Sequence, residues 1–267
     1  MRFSSKIYLE EENITIPPDS RPSILSLIKE AIKNSGEGSA KFYDKYYARN
    51  TYKPFTFSSY IPIKKTDKGS TLDGQYITLT FSTNDYEFLL RVYNGLNNQD
   101  IKKKIKLFGK TIKSISGFYL YPEKKINKDK ITFKTLSPIL VREAKQNGKF
   151  LLPDNTCIKA NRKEYKTWEK ISERDFIEAF CHNLAAQAKR ELGIDIEEKD
   201  IKIENLNTKT IPVVHGSGNP DHQYKQVYPG IKGIITIQAP PKLLQLFYDN
   251  GIGAKKSQGF GMLEVVE

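Results

Sequence analysis

The chain has 267 residues, enough for one large domain or two of ordinary size, and its 38% hydrophobic content is enough for real cores. Lys and Arg number 43 against 31 Asp and Glu, a net charge of +12 with an isoelectric point near 9.4, which favours nucleic acid or an anionic surface as partner. No apolar run approaches the roughly 18 residues of a membrane span, and Cys157 and Cys181 make neither a disulfide framework nor a zinc site, so the reducing cytoplasm is the expected location.

Arg2 to Glu10 alternates as a strand, with Phe3, Ile7 and Leu9 on one face. The first residues lead straight into it and resemble no signal peptide. Pro17 to Ser20 reads as a turn. Ser20 or Ser23 is placed to cap a helix carrying Ile24, Leu25, Leu27, Ile28, Ala31 and Ile32 at helical spacing. Gly36 and Gly38 interrupt it, and Lys41 to Arg49 forms a short second helix or a loop. Phe55 to Ile63 reads as a strand, Gly69 to Gly74 as a hairpin turn, and Tyr76 to Ser82 as the returning strand. A helix over Asn84 to Leu96 and strands over Lys106 to Lys113 and Ile115 to Tyr121 complete a unit close to βαββαβ.

Pro122 to Asp129 is polar and charged and reads as a linker. Strands are expected at Lys130 to Leu136 and Ser137 to Glu143, with a turn at Asn147-Gly148. Glu173 to Leu192 is an amphipathic helix with Phe176, Ile177, Phe180, Leu184 and Ala188 on one stripe. Strands follow at Ile201 to Leu206 and Ile211 to Val214, then a loop at Gly216 to Asp221. A strand-like stretch covers Tyr224 to Ile237, and a helix covers Pro240 to Asn250. Two tandem βαββαβ units, 1–122 and 130–267, result.

Between that last helix and a final apolar strand stands the most informative stretch, Gly251-Ile-Gly-Ala-Lys-Lys-Ser-Gln-Gly-Phe-Gly261. Glycine lets a backbone adopt positive φ and approach a ligand closely, and successive N–H groups in such a loop form an anion-binding concavity. Lys255, Lys256 and the Ser257 hydroxyl suit phosphate oxygens. The Walker pattern is missing, because a Gly-Phe-Gly strand start follows the Lys-Lys-Ser core where a helix would begin. A polyanion backbone fits better than a nucleoside triphosphate. The 15 Tyr and 14 Phe residues add stacking faces for unpaired bases.

Residues 251–265 resemble the glycine-rich signature of the CRISPR-associated endoribonucleases that mature CRISPR RNA, the sixth Cas family of the RAMP superfamily. Tyr52 to Ser58, Leu136 to Arg142, and Phe176 to Lys189 with its Asn183-Leu184 pair resemble further family segments in the expected order. The resemblance implies an α+β chain of two tandem ferredoxin-like (RRM-like) βαββαβ domains with a C-terminal glycine-rich loop. It implies binding of CRISPR repeat RNA and metal-independent cleavage by 2′-OH attack, with no cofactor. A non-catalytic RAMP protein that binds repeat or guide RNA is the alternative. Effector-complex subunits and a second copy of the chain stay open as partners.

Where many relatives carry a histidine, this chain has none between Lys41 and Lys53. Tyr43 falls nearest that position, with Tyr46 and Tyr47 as alternative phenols and Lys53 as a phosphate contact. A tyrosine near its usual value of about 10 is a neutral donor, and a nearby lysine is expected to lower that value by favouring phenolate. Lys41, Lys45 and Arg49 are the remaining cations of this region. RNA contacts are expected from Lys45, Arg49, Arg142, Lys189, Gly253, Lys255, Lys256, Ser257 and Gly259, with Arg190, Arg162, Lys163, Lys166 and Trp168 as further candidates. His182, inside the long helix, reads as structural. His215 and His222 lie in a loop within reach of RNA, with no carboxylate or cysteine to complete a metal-ligand spacing.

Overall fold

The computed structural model describes residues 1–49, 51–67, 69–98, 100–101, 105–144, 148–153, 168–215 and 226–266. Cys157, Arg162, Lys163, Lys166, His222, the Gly216 to Asp221 loop, Asn147 of the expected turn and the His215 side chain lie outside the described residues. The chain divides into two compact units, Met1–Glu123 and Lys124–Glu267. No helix among the described residues is long and apolar enough to cross a membrane.

The first unit runs β1 (Arg2–Leu9), α1 (Arg21–Lys33), α2 (Ser39–Tyr47), β2 (Phe55–Tyr60), β3 (Ile63–Thr66), β4 (Gly69–Leu72), β5 (Tyr76–Thr83), α3 (Tyr86–Asn97), β6 (Lys106–Leu107) and β7 (Lys110–Leu120). Antiparallel pairing orders its main sheet β2-β5-β1-β7-β6. The four long strands with α1 and α3 make the ferredoxin-like βαββαβ arrangement. Alternation sends Phe3, Ile7 and Leu9 of β1 inward, against Ile24, Leu27 and Ile28 of α1 and Phe88, Val92 and Leu96 of α3. The two helices touch at Gly95, where a Cβ would stand 1.8 Å from the Ala31 carbonyl oxygen. Asp85 caps α3 by accepting from the Phe88 N–H at 3.0 Å.

Three local expectations change. Ser20 precedes α1 without a side-chain cap, and Pro22, whose ring presets a helical φ, opens the helix instead. The strand from Phe55 stops at Tyr60, because Pro62 has no N–H for a ladder. Ile63–Thr66 then pairs with Gly69–Leu72 as a separate hairpin, moving the turn ahead of Gly69. The last two strands become one, β7, bulged near Gly117 at φ 62°, preceded by a tight turn at Phe108 and Gly109.

The second unit runs β8 (Lys130–Thr135), β9 (Val141–Arg142), β10 (Phe150–Pro153), β11 (Trp168–Ile171), α4 (Glu173–Leu192), β12 (Lys202–His215), β13 (Gln226–Gln238), α5 (Pro241–Asn250), a 3₁₀ turn at Lys256–Gln258 and β14 (Leu263–Val266). Its main sheet is ordered β12-β13-β8-β14, the same ferredoxin-like order, and β11-β10-β9 forms an added small sheet. Phe176, Phe180, Leu184 and Ala188 of α4 are buried in its core. Ser172 caps α4 by accepting from the Asp175 N–H at 3.1 Å, and Gly193, at φ 66°, ends it.

Here too the segmentation shifts. The stretch read as a linker is docked: Ile126 is buried and its N–H donates to Gln245 Oε1 at 2.9 Å, while Lys124 pairs with Glu264 at 3.0 Å. The two strands expected between 201 and 214 are one, and Pro212 stands opposite Pro229, so both missing N–H donors fall on one rung. Of Ser137 to Glu143 only Val141–Arg142 is strand, with Ile139 bridging Ile231.

Candidate nucleic-acid interface

In the first unit the site grows from two helices with lysines and tyrosines one turn apart. Phe42 and Tyr46 take the buried face of α2, so Tyr43 and Tyr47 share the neighbouring half-buried face. Their rings stack with centroids 4.6 Å apart and 15° between planes. From α1, Lys33 Nζ lies 4.7 Å from the Tyr43 ring centre and Lys29 Nζ 5.3 Å from that of Tyr47. Lys53 Nζ, from the segment after α2, stands 4.8 Å from the Tyr47 ring. Three ammonium groups therefore surround two stacked phenols, each close enough for a cation–π contact.

Lys33 is satisfied by Glu30 at 2.6 Å. Among the described residues Lys29 and Lys53 have no carboxylate partner; Lys53 donates to the Thr51 carbonyl at 2.8 Å. Burial first, and the Lys29 charge second, push the Lys53 ammonium below the usual lysine value. The Tyr47 hydroxyl is buried and has no hydrogen-bond partner among the described residues.

The expected lysine-stabilised phenolate is not what this environment favours for two of the three tyrosines. Burial, with the neighbouring Tyr43 second, pushes Tyr47 well above the usual phenol value. Burial, then Asp85, pushes Tyr46 up despite Lys45, 5.0 Å from its ring. Desolvation of an anion outweighs the nearby cations, so both phenols are held protonated. Tyr46 is moreover a core residue: its ring packs on Phe42 and Phe88, and its hydroxyl donates to Asp85 at 3.4 Å. Lys41, Lys45 and Arg49 are exposed. Lys29 and Lys33 were missed by the sequence reading. Their i,i+4 spacing beside the apolar stripe of α1 was visible, but not the packing of α2 against that side.

In the second unit the glycine loop serves itself first. Ile252 N–H donates to the Gly261 carbonyl at 2.9 Å, Ala254 N–H to Leu140 at 2.8 Å, and Gly261 N–H to Pro138 at 2.8 Å. A Cβ at Gly253 would stand 2.5 Å from the Leu140 oxygen, and one at Gly261 1.8 Å from the Ile252 oxygen. These glycines let the loop lie against the Leu136 to Arg142 segment and against itself, a reason other than the close approach to a ligand expected from sequence. Gly259, at φ 85°, closes the 3₁₀ turn with its N–H on the Lys256 carbonyl at 3.0 Å.

Lys255, left-handed at φ 58°, brings its Nζ to 5.1 Å from the Tyr228 ring. Tyr228 lies 4.6 Å from Phe150, and the Arg142 guanidinium sits 5.5 Å from the Phe150 ring. Arg142 Nε donates to the Gly148 carbonyl at 2.8 Å, and Asn183 grips its backbone on both sides at 3.2 and 2.7 Å. Burial first, then Arg142, push Lys255 below the usual lysine value. Neither cation has a carboxylate partner among the described residues. Phe150 and Tyr228 are themselves buried, so the rings position the two like charges, which suit a phosphodiester. Ser257 is half-buried on the same 3₁₀ turn.

Other expected contacts are placed elsewhere. Lys256 is 4% exposed and ion-paired with Glu191 at 2.6 Å, so it faces inward and not toward a ligand. Lys189 is exposed but paired with Asp195 at 2.7 Å, and Arg190 lies 3.3 Å from Glu191. Trp168 is buried with Leu140, Phe150, Leu152 and Phe260, a core role that removes it from the RNA-contacting cluster expected for it. His182 contacts Glu198 through Nδ1 on the surface of the second unit.

Residues 121–265 match the family model described as CRISPR associated protein Cas6, C-terminal. A Pyrococcus furiosus protein named as CRISPR-associated endoribonuclease-like Cas6 is 23% identical, with 100% of this chain and 99% of the relative covered. The structure of a Cas6-related gene product from Pyrococcus furiosus superposes with a TM-score of 0.74 at 20% identity, covering 100% of this chain and 98% of its own. A RAMP protein described as binding different RNA substrates gives 0.67 at 19% identity, with both chains fully covered.

Proposed function

The chain belongs to the Cas6 family of CRISPR-associated proteins, and from that premise we propose that it binds CRISPR repeat RNA and cuts it without a metal. The single observation that carries the chemistry is the Lys29 and Lys53 pair: two cations beside a stacked phenol pair, with Lys53 held below its ordinary value by burial first and by Lys29 second.

The 2′-oxygen of the nucleotide before the scissile bond attacks phosphorus, the P–O5′ bond breaks, and a 2′,3′-cyclic phosphate and a 5′-hydroxyl result. Lys53 and Lys29 neutralise the added negative charge on the non-bridging oxygens, the role to which preorganised cations bring most. Tyr43 gives its phenolic proton to the departing 5′-oxygen, the buried Tyr47 hydroxyl being out of reach, and the 2′-OH proton passes to water. Among the described residues no histidine stands in this cluster, and general acid–base catalysis is worth about 10²–10⁴-fold per group. A slow enzyme is the consequence, with alignment of the 2′-OH carrying the rest. Arg142, Lys255 and Ser257, the first two positioned by the buried rings of Phe150 and Tyr228, bind the RNA backbone on the second unit.

The second reading is an RNA-binding protein without cleavage, as part of an effector complex or as a pair of copies. It is favoured by the absence of any histidine before His182, and it extends to this chain the RNA binding for which the RAMP neighbour is described.

The test is incubation of the full chain, in EDTA, with RNA of the host's CRISPR repeat and with the same RNA carrying one 2′-deoxy at the scissile nucleotide. One cut in the first RNA and none in the second establishes the enzyme. Tight binding of both with no cut establishes the second reading.

A further inference from the structure

The structure assigns Glu191 and Lys256 the role of an internal ionic lock, which fixes the glycine loop so that Lys255, and not its neighbour, meets the RNA backbone. The assignment rests on the proposed RNA contact of that loop and adds its positioning residues.

The lysines at 255 and 256 are adjacent and chemically identical, yet the fold uses them oppositely. Lys256 Nζ is held 2.6 Å from Glu191 Oε1, with 4% of one side chain and 1% of the other exposed. The second carboxylate oxygen accepts from Asn250 Nδ2 at 3.1 Å. One turn earlier on α4, Gln187 Nε2 donates to the Gly251 carbonyl at 2.9 Å. The last two turns of α4 therefore grip the end of α5 and the start of the loop. Asn183, one further turn back on the same helix, holds Arg142. With Lys256 turned in and Lys255 left-handed, the Lys255 ammonium is carried to Tyr228 and beside Arg142.

A buried carboxylate on a basic RNA-binding protein has a telling sign. If Glu191 were only a negative charge near the RNA, Glu191→Gln would strengthen binding. If it positions the loop, the same change weakens binding although net positive charge rises, because the buried Lys256 loses its carboxylate.

The probe is a fluorescently labelled RNA of the host's CRISPR repeat, titrated against the full chain at several salt concentrations, together with amide hydrogen exchange of residues 252–261. Glu191→Gln is expected to weaken affinity about tenfold and to speed exchange of Ile252, Ala254 and Gly261. The paired apolar replacement Glu191→Leu/Lys256→Met is expected to restore most of both, which a general loss of folding would not allow. The salt slope should be the same for that pair as for the wild type, since Lys256 makes no phosphate contact. Affinity equal to or tighter than wild type in Glu191→Gln, unchanged exchange, or a salt slope lowered in the paired variant would each overturn the lock. Lys255→Ala separates the two ideas: unchanged affinity there overturns the RNA contact of the loop, while the exchange data still judge the lock.

Discussion

Tyr43 and Tyr47 stack face to face, 4.6 Å apart, on the half-buried side of α2. Stacking holds the second phenol where its hydroxyl is cut off from water and partners, and it gives Lys29, Lys33 and Lys53 a common electron-rich surface. The cluster is thereby charged, dry at one end and, among the described residues, without a carboxylate partner at Lys29 and Lys53, a combination that costs stability unless an anion arrives.

Tyr47→Phe removes a hydroxyl that makes no hydrogen bond among the described residues. Folding stability should stay the same or rise slightly, since no partner is left unsatisfied. Single-turnover cleavage should be unchanged, because the Tyr47 hydroxyl is buried, whereas Tyr43→Phe should slow it by about 10²-fold or more. Thermal melts beside cleavage time courses read the two effects separately, and slowed cleavage by Tyr47→Phe with unchanged stability would move the donor role to Tyr47.

In the proposed reaction Lys53 acts while charged, and its value lies below the ordinary lysine value of 10.5 because of burial and Lys29. Cleavage should therefore hold through neutral pH and decline on the alkaline side before an ordinary lysine would titrate. Lys29→Met removes the like charge, so Lys53 rises and the decline moves to higher pH, even as the maximal rate drops. A pH–rate profile of both proteins checks the sign; a decline moving to lower pH would contradict it.

Gly261→Ala places a Cβ into the Ile252 carbonyl at positive φ. The loss should be on the order of 3 kcal/mol or more, from backbone strain plus a displaced loop. Gly36→Ala, also at positive φ but with nothing within 4 Å of the new Cβ, should cost only about 1–2 kcal/mol. Urea unfolding of the two variants compares them.

Lys255→Ala should lower the slope of log affinity against log salt by about 0.7, one single-strand phosphate contact. Lys189→Ala, at a lysine already paired with Asp195 on the surface, should leave the slope unchanged. Fluorescence titrations between low and physiological salt give both values.

Where an element is long and periodic, its existence could be read directly. The apolar stripes of α1 and α4 and the alternation in β1 each fix one buried face whatever lies opposite. Short segments were less legible. The stop at Tyr60 and the single long β12 depend on which strand offers a partner, and a partner lies far along the chain. The tyrosines of residues 43, 46 and 47 were visible as a group. Their division into one core residue and two stacked site residues follows from the faces that α2 turns to Phe88 and to α1.

By itself the sequence determined the two βαββαβ units, the surplus of positive charge and the glycine loop, because hydrophobic period, net charge and glycine's freedom at positive φ are local properties. Only the tertiary structure decided that Lys29 joins Lys53, and that Lys255 stays half-exposed beside Arg142 while Lys256 is buried. A loop has no repeating period to assign its side chains to faces. The choice between two neighbouring lysines was made by Glu191, a carboxylate 65 residues earlier in the chain, whose burial demanded a cation.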